Sequence, residues 1–246
     1  MRGTGDGGLE DHFAALGRIC SLAAPLNDIT VVSMPYVAGE ALDRLCLAAL
    51  SLPERERFAR FLAPADASRF ARRRAFRRYC AGLATGDGQP LEALDFEETD
   101  EGRPVLVADP GIWFSFSACD RGFLAAWSRT LAVGIDWEDR TEGLQAGDLA
   151  EAFFSAGEIA RLRSAPPERR DGLFLQVWCL KEAALKSVGE GLAYGLDAFE
   201  FTLDPEPRLV TCREAGDRPG VVLSRILTID GACAAVVCRE LDRAMA

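Results

Sequence analysis

The chain has 246 residues, 49% of them apolar, and a formal net charge of −10. A chain of this size and composition can bury a full core as one large domain or two small ones, which excludes a disordered polypeptide. The acidic total argues against a general nucleic-acid binder or an anionic membrane surface as the main partner, and no apolar run approaches the ~18 residues of a membrane span.

Residues 1–28 read as an N-terminal extension. Gly3, Gly5, Gly7 and Gly8 precede an amphipathic stretch, Phe13 to Leu22, and acidic residues ahead of its apolar part make it a poor signal peptide. We expect a frayed end or a short cap there. Ile29 to Tyr36 reads as a strand, Glu40 to Leu50 as a helix, and Ser51-Leu-Pro-Glu54 as the capped start of another. Asp66 to Ala84 is predicted as a long helix that buries Phe76, Tyr79, Cys80 and Leu83 on one face. A Gly- and Pro-rich break follows, then short extended pieces around Gly102-Arg-Pro104, then a hairpin from Trp113 to Ser117 and Gly122 to Trp127.

The pattern then partly repeats. Leu131 to Glu138 is a predicted strand, and Leu144 to Phe154 and Glu158 to Arg163 are helical. Pro166-Pro167 reads as a break, Gly172 to Val188 as a long helix, and four strands follow between Phe199 and Glu240. The expected class is α+β: two similar lobes in one chain, each a small, mostly antiparallel sheet packed with helices. The lobes are set at residues 29–130 and 131–246.

The eight cysteines form no C-x-x-C, and the only histidine is His12. A structural zinc site and a histidine-based triad are therefore poor readings. Cys20, Cys46, Cys80, Cys179, Cys233 and Cys238 read as small core residues in a reducing cytoplasm. General base chemistry falls to a carboxylate, a lysine or a metal-bound water.

Four constellations carry chemistry. In Val133-Gly-Ile-Asp-Trp-Glu138, strand alternation puts Asp136 and Glu138 on one face, either as a solvated acidic edge or as oxygen ligands for Mg²⁺. The second segment, Trp178 to Lys186, holds the only two lysines of the chain, Lys181 and Lys186; the other 26 basic residues are arginines. Glu182 shares a helix face with Lys186, so the segment is a surface i,i+4 pair or a site needing compact ammonium groups. The third is a basic helix, Arg69, Arg72, Arg73, Arg74, Arg77 and Arg78, read as a solvated face or an anion site. The fourth is the turn Gly102-Arg103-Pro104.

In this order, and with Phe114-Ser-Phe-Ser117 and Gly189-Glu-Gly-Leu192, these pieces resemble the 4′-phosphopantetheinyl transferases of the long, surfactin-synthetase-activating type, over about residues 30 to 240. The resemblance implies coenzyme A bound between the lobes of a monomeric, cytoplasmic enzyme. Phosphopantetheine would pass to a serine of an acyl or peptidyl carrier protein, releasing 3′,5′-ADP. It implies Mg²⁺ on Asp136, Glu138 and Glu182, with Glu182 or a metal-bound water taking the serine proton. Lys186 would lie on the pyrophosphate with Lys181 nearby. Arg69, Arg74 and Arg103 become candidates for the 3′-phosphate, and Ser117 and Lys181 for other coenzyme A contacts. One departure stands out: the family places a histidine after that serine, and this chain has Ala118. An alternative is therefore a non-catalytic homologue that binds coenzyme A or a carrier protein.

Overall fold

The computed structural model describes residues 8–21, 29–139, 146–189, 194–212 and 220–241. Every strand pairing among these residues is antiparallel, and the fold is α+β. It opens with α1 (Leu9–Leu16) and β1 (Arg18–Ser21). Then come β2 (Thr30–Pro35), α2 (Glu40–Ala48), α3 (Leu52–Phe58), α4 (Pro64–Thr85), a 3₁₀ turn at Leu91–Ala93, β3 (Phe96–Glu98), β4 (Pro104–Leu106), β5 (Trp113–Cys119) and β6 (Gly122–Ser128). The strands form one sheet in the order β1-β2-β6-β5-β4-β3.

From β2 onward the order is repeated: β7 (Leu131–Glu138), α5 (Ala146–Phe153), α6 (Ala156–Ser164), α7 (Pro167–Val188), a 3₁₀ turn at Leu196–Ala198, β8 (Phe199–Thr202), β9 (Arg208–Cys212), β10 (Val221–Ile229) and β11 (Ala232–Glu240). Here the strands pair as β10-β11-β7, with a separate β8-β9 ribbon.

The long helices show why the halves match. Both α4 and α7 run 22 residues, carry Pro in the first turn, where its missing N–H costs nothing, and stop at a left-handed glycine, Gly86 or Gly189. Both α3 and α6 start with a capping box, Ser51 with Glu54 and Ser155 with Glu158.

Three expectations are refined. The break at Pro166-Pro167 is present, with Ala165 and Pro166 extended between α6 and α7, but Pro167 already opens α7 ahead of the expected start at Gly172, because Pro-Pro signals both a break and a helix start. Of the two readings of the N-terminal segment, residues 8–21 follow the cap and not the frayed end: β1 pairs with β2, and Phe13, 2% exposed, sets its ring edge-on to Tyr79 at 5.4 Å. Leu83 lies outside the buried face of α4 at 39% exposure, while Phe76, Tyr79 and Cys80 are buried. Cys46, Cys80, Cys179 and Cys238 are buried and outside any disulfide, as small apolar residues should be.

The first core centres on Phe76, Phe114 and Phe123; another gathers α7 residues with Phe199 and Phe201. A third layer joins the halves, with Val31, Trp113 and Leu124 against Ile135, Trp137 and Val236. Along this seam β7 pairs with β11 on one edge only. Toward β5 its N–H groups find hydroxyls instead: Ile135 donates to Ser115 Oγ at 3.0 Å and Trp137 to Ser117 Oγ at 3.2 Å. Gly134 sets the depth of α7 on β7. A Cβ there would lie 1.8 Å from the Ala183 carbonyl oxygen, so only glycine allows this approach.

Candidate active site

The close approach at Gly134 brings the acidic strand under the lysine helix. Asp136, 4% exposed, accepts from Lys186 Nζ at 2.6 Å and from Ser117 Oγ at 3.0 Å, both at Oδ1. Its other oxygen, Oδ2, is buried without a hydrogen-bond partner. Such an atom is costly unless something positive meets it.

Glu138 and Glu182 complete the acidic group. Burial, then the charge of Asp136, pushes the Glu138 carboxyl up to about 7, with Lys186 opposing and Asp139 and Glu182 adding to the rise. Glu182 is raised by burial and Asp136, again against Lys186. Burial disfavours the Lys186 charge, but Asp136 and Glu182 outweigh it and hold its pKa above the ordinary value. Three carboxylates that repel one another around an orphaned oxygen form a donor set suited to a hard divalent cation such as Mg²⁺. Among the described residues, no three acidic, histidine or cysteine side chains already stand at metal-binding spacing. The fit rests on donor chemistry and on Asp136 Oδ2.

The two lysines part here. Lys181 is fully buried, and its ammonium meets three acceptors: Glu158 Oε2 at 2.8 Å, the Leu196 carbonyl at 3.2 Å and the Phe199 carbonyl. An ammonium has three protons, so Lys181 is saturated. Lys186 bonds Asp136 and the Ile135 carbonyl at 3.1 Å, leaving one proton on a side chain 30% exposed. That spare donor faces a cleft of about 700 Å³, part of it open solvent. The cleft runs between the halves, lined by Arg77, Arg103, Phe116, Glu182, Lys186 and Gly189. Arg103 lies over Trp113, its guanidinium carbon 4.2 Å from the ring centroid. Burial lowers its pKa, while the charge of Glu101 favours its cationic form.

The 4′-phosphopantetheinyl transferase superfamily model matches residues 132–237, the half that carries Asp136, Glu138, Glu182 and Lys186. HetI, a 4′-phosphopantetheinyl transferase of Nostoc sp., is 34% identical over 64% of this chain and 67% of its own length. A 4′-phosphopantetheinyl transferase of Bacillus subtilis is 32% identical over 69% of this chain and 72% of its own.

The chain belongs to the 4′-phosphopantetheinyl transferase superfamily.

The superfamily member psf-1 of Bacillus pumilus is 33% identical, and the match spans 62% of its length, short of two thirds. Among solved structures, Thermotoga maritima holo-[acyl-carrier-protein] synthase aligns with a TM-score of 0.39 and 23% identity, over 46% of this chain and 65% of that one.

Some residues expected to contact coenzyme A do not line this cleft. Arg69 pairs with Asp120 at 3.0 Å, Arg74 with Glu54 at 3.5 Å and Glu98 at 3.7 Å, and neither lines the cleft. Lys181 points into the second half, away from it. Ser117 bridges β5 to Asp136 and the Trp137 N–H rather than lining the cleft. Ala118 packs against the first core. Arg77 enters instead: it stacks on Phe116 at 5.1 Å and pairs with Glu98 at 3.3 Å. Burial, aided by the charge of Arg74, lowers its pKa to about 10. Arg77 was visible in the basic stripe, but periodicity alone does not say which turn of a helix meets a cleft.

Proposed function

We propose that this transferase moves the 4′-phosphopantetheine group of coenzyme A to a serine hydroxyl of an apo carrier protein and releases 3′,5′-ADP. It acts as a cytoplasmic monomer and requires Mg²⁺. The observation that carries this reading is the grouping of Asp136, Glu138, Glu182 and Lys186, of which Glu182 and Lys186 line the cleft between the halves.

Phosphoryl-type transfer needs mainly positioning and charge neutralisation, and the residues supply both. Asp136, Glu138 and Glu182 would hold Mg²⁺, which when bound neutralises charge on the pyrophosphate. The spare proton of Lys186 is available to a phosphate oxygen. Arg103, braced on Trp113, and Arg77, braced on Phe116, present cations to the phosphates of the nucleotide end. Glu182, with its pKa raised, is suited to take the serine proton as the new P–O bond forms. The bond to 3′,5′-ADP breaks with its charge met by Lys186.

Mass spectrometry of an apo carrier protein incubated with coenzyme A and Mg²⁺ tests this. The expected result is a gain of one phosphopantetheine, lost with Asp136→Ala and with Glu182→Ala. Ala118, an apolar side chain where the family resemblance places a histidine, favours a second reading: a non-catalytic binder of coenzyme A or a carrier protein. Coenzyme A binding without transfer to fatty-acid, polyketide or peptide-synthetase carriers would establish it.

A further inference from the structure

Ser115 and Ser117 make the same bond across the seam. Each hydroxyl, carried by β5 of the first half, accepts an N–H of β7 in the second, from Ile135 at 3.0 Å and Trp137 at 3.2 Å. They differ in where the hydroxyl proton goes. Ser117 donates to Asp136 Oδ1 at 3.0 Å, the oxygen that also receives Lys186 at 2.6 Å. Two donors on Oδ1 fix the carboxylate plane and leave Oδ2 as the orphaned oxygen of the site. One donor comes from each half of the molecule. With Lys186 alone the carboxylate can turn about its terminal torsion, which is broad and roughly two-fold.

We propose that Ser117 is a positioning residue. It couples the apposition of the two halves to the orientation of Asp136, so that the cation site is assembled only when the seam is closed. This rests on the reading of Asp136 as a metal ligand under Proposed function. It assigns Ser117 to the carboxylate rather than to coenzyme A. Ser115, which has the seam bond without the carboxylate, is the built-in control for metal binding; because it also lines the cleft, coenzyme A affinity is compared for Ser117→Ala alone.

The test uses the full chain with Mn²⁺ alone as probe, free Mn²⁺ being read by electron paramagnetic resonance, and coenzyme A binding measured by calorimetry. Ser115→Ala and Ser117→Ala should lower the melting temperature by similar amounts. Only Ser117→Ala should weaken Mn²⁺, by about tenfold, with coenzyme A affinity within twofold of the parent. In turnover, the activating metal concentration rises while the KM for coenzyme A holds. If both variants weaken Mn²⁺ alike, the effect is a loosened seam and the proposal is wrong. It is equally wrong if Ser117→Ala leaves Mn²⁺ binding unchanged or weakens coenzyme A instead. If Ser117→Ala is too unstable to titrate, Ser117→Cys, similar in shape but a weak donor, carries the same expectations. A parent protein whose Mn²⁺ binding is absent, or survives Asp136→Ala, sinks the reading of the site and this proposal with it.

Discussion

The two halves share an order of elements but not a chemistry. Laid end to end, α4 and α7 place Arg78 on Lys181, Tyr79 on Glu182 and Leu83 on Lys186. The buried ion pair is kept: Arg78 meets Glu54 at 2.9 Å and Lys181 meets Glu158 at 2.8 Å, each glutamate belonging to a capping box. The charged site is not. On β2, Val32 and Met34 join the apolar core that α4 covers, and Tyr79 closes onto Phe13. The second half has Asp136 and Glu138 on β7 and an open cleft. One copy of the frame is filled with apolar groups and supplies the cleft wall; the other gives up packing to hold charge. The superfamily model accordingly matches within the second half.

The comparison can be broken in several ways. The largest effect should come from the site itself. Glu182→Ala abolishes transfer with little loss of fold, whereas Met34→Ala, from the first-half core, costs about 2–5 kcal/mol in denaturant melts but leaves activity per folded molecule. Next is the shared pair. Lys181→Met leaves Glu158 charged and buried, which costs about 3–5 kcal/mol. Arg78→Met should cost less, because one of its partners, Asp95, is 53% exposed and remains solvated. Equal losses would undo the argument from enclosure. Third, Gly134→Ala forces α7 off β7; we expect about 1–3 kcal/mol of destabilisation, together with weaker metal binding because Glu182 and Lys186 move from Asp136.

The smallest effect is one of pH. The Glu138 carboxyl titrates near 7 when folded, above its ordinary 4.5. Its contribution to stability is therefore full below about pH 4.5 and lost as pH rises through 7. A cation needs the deprotonated form and competes with that proton. The gain in melting temperature on adding Mg²⁺ should thus grow from pH 5.5 to pH 8, by scanning calorimetry. A gain that stays flat or shrinks would remove Glu138 from the ligand set.

Much of the fold and the acidic half of the site were legible in the sequence. Strand alternation put Asp136 and Glu138 on one face, and helical spacing put Glu182 with Lys186, because both depend on local periodicity alone. The partners of Lys181 were not legible. Glu158 lies 23 residues before it and Phe199 18 after, and only the packing of α6 and β8 on α7 brings them together. The basic helix was readable as a stripe, yet its members diverge in fate: Arg72 is buried on Asp43, Arg69 stacks on Tyr36, and Arg77 reaches the cleft. Those fates are set by the surface each turn meets. The β1 pairing was missed because a four-residue strand carries too few alternations to register.

The chain carries 26 arginines and only two lysines, and the surroundings of Lys181 show what the rarer type supplies. At 181 the cage offers three acceptors to a donor of near-threefold symmetry, and a flat guanidinium has no way to sit in it. The first half solved the same corner with Arg78 by leaving it open on the Asp95 side. At position 181 the rarer cation therefore marks a place where shape, and not charge alone, decides which side chain fits.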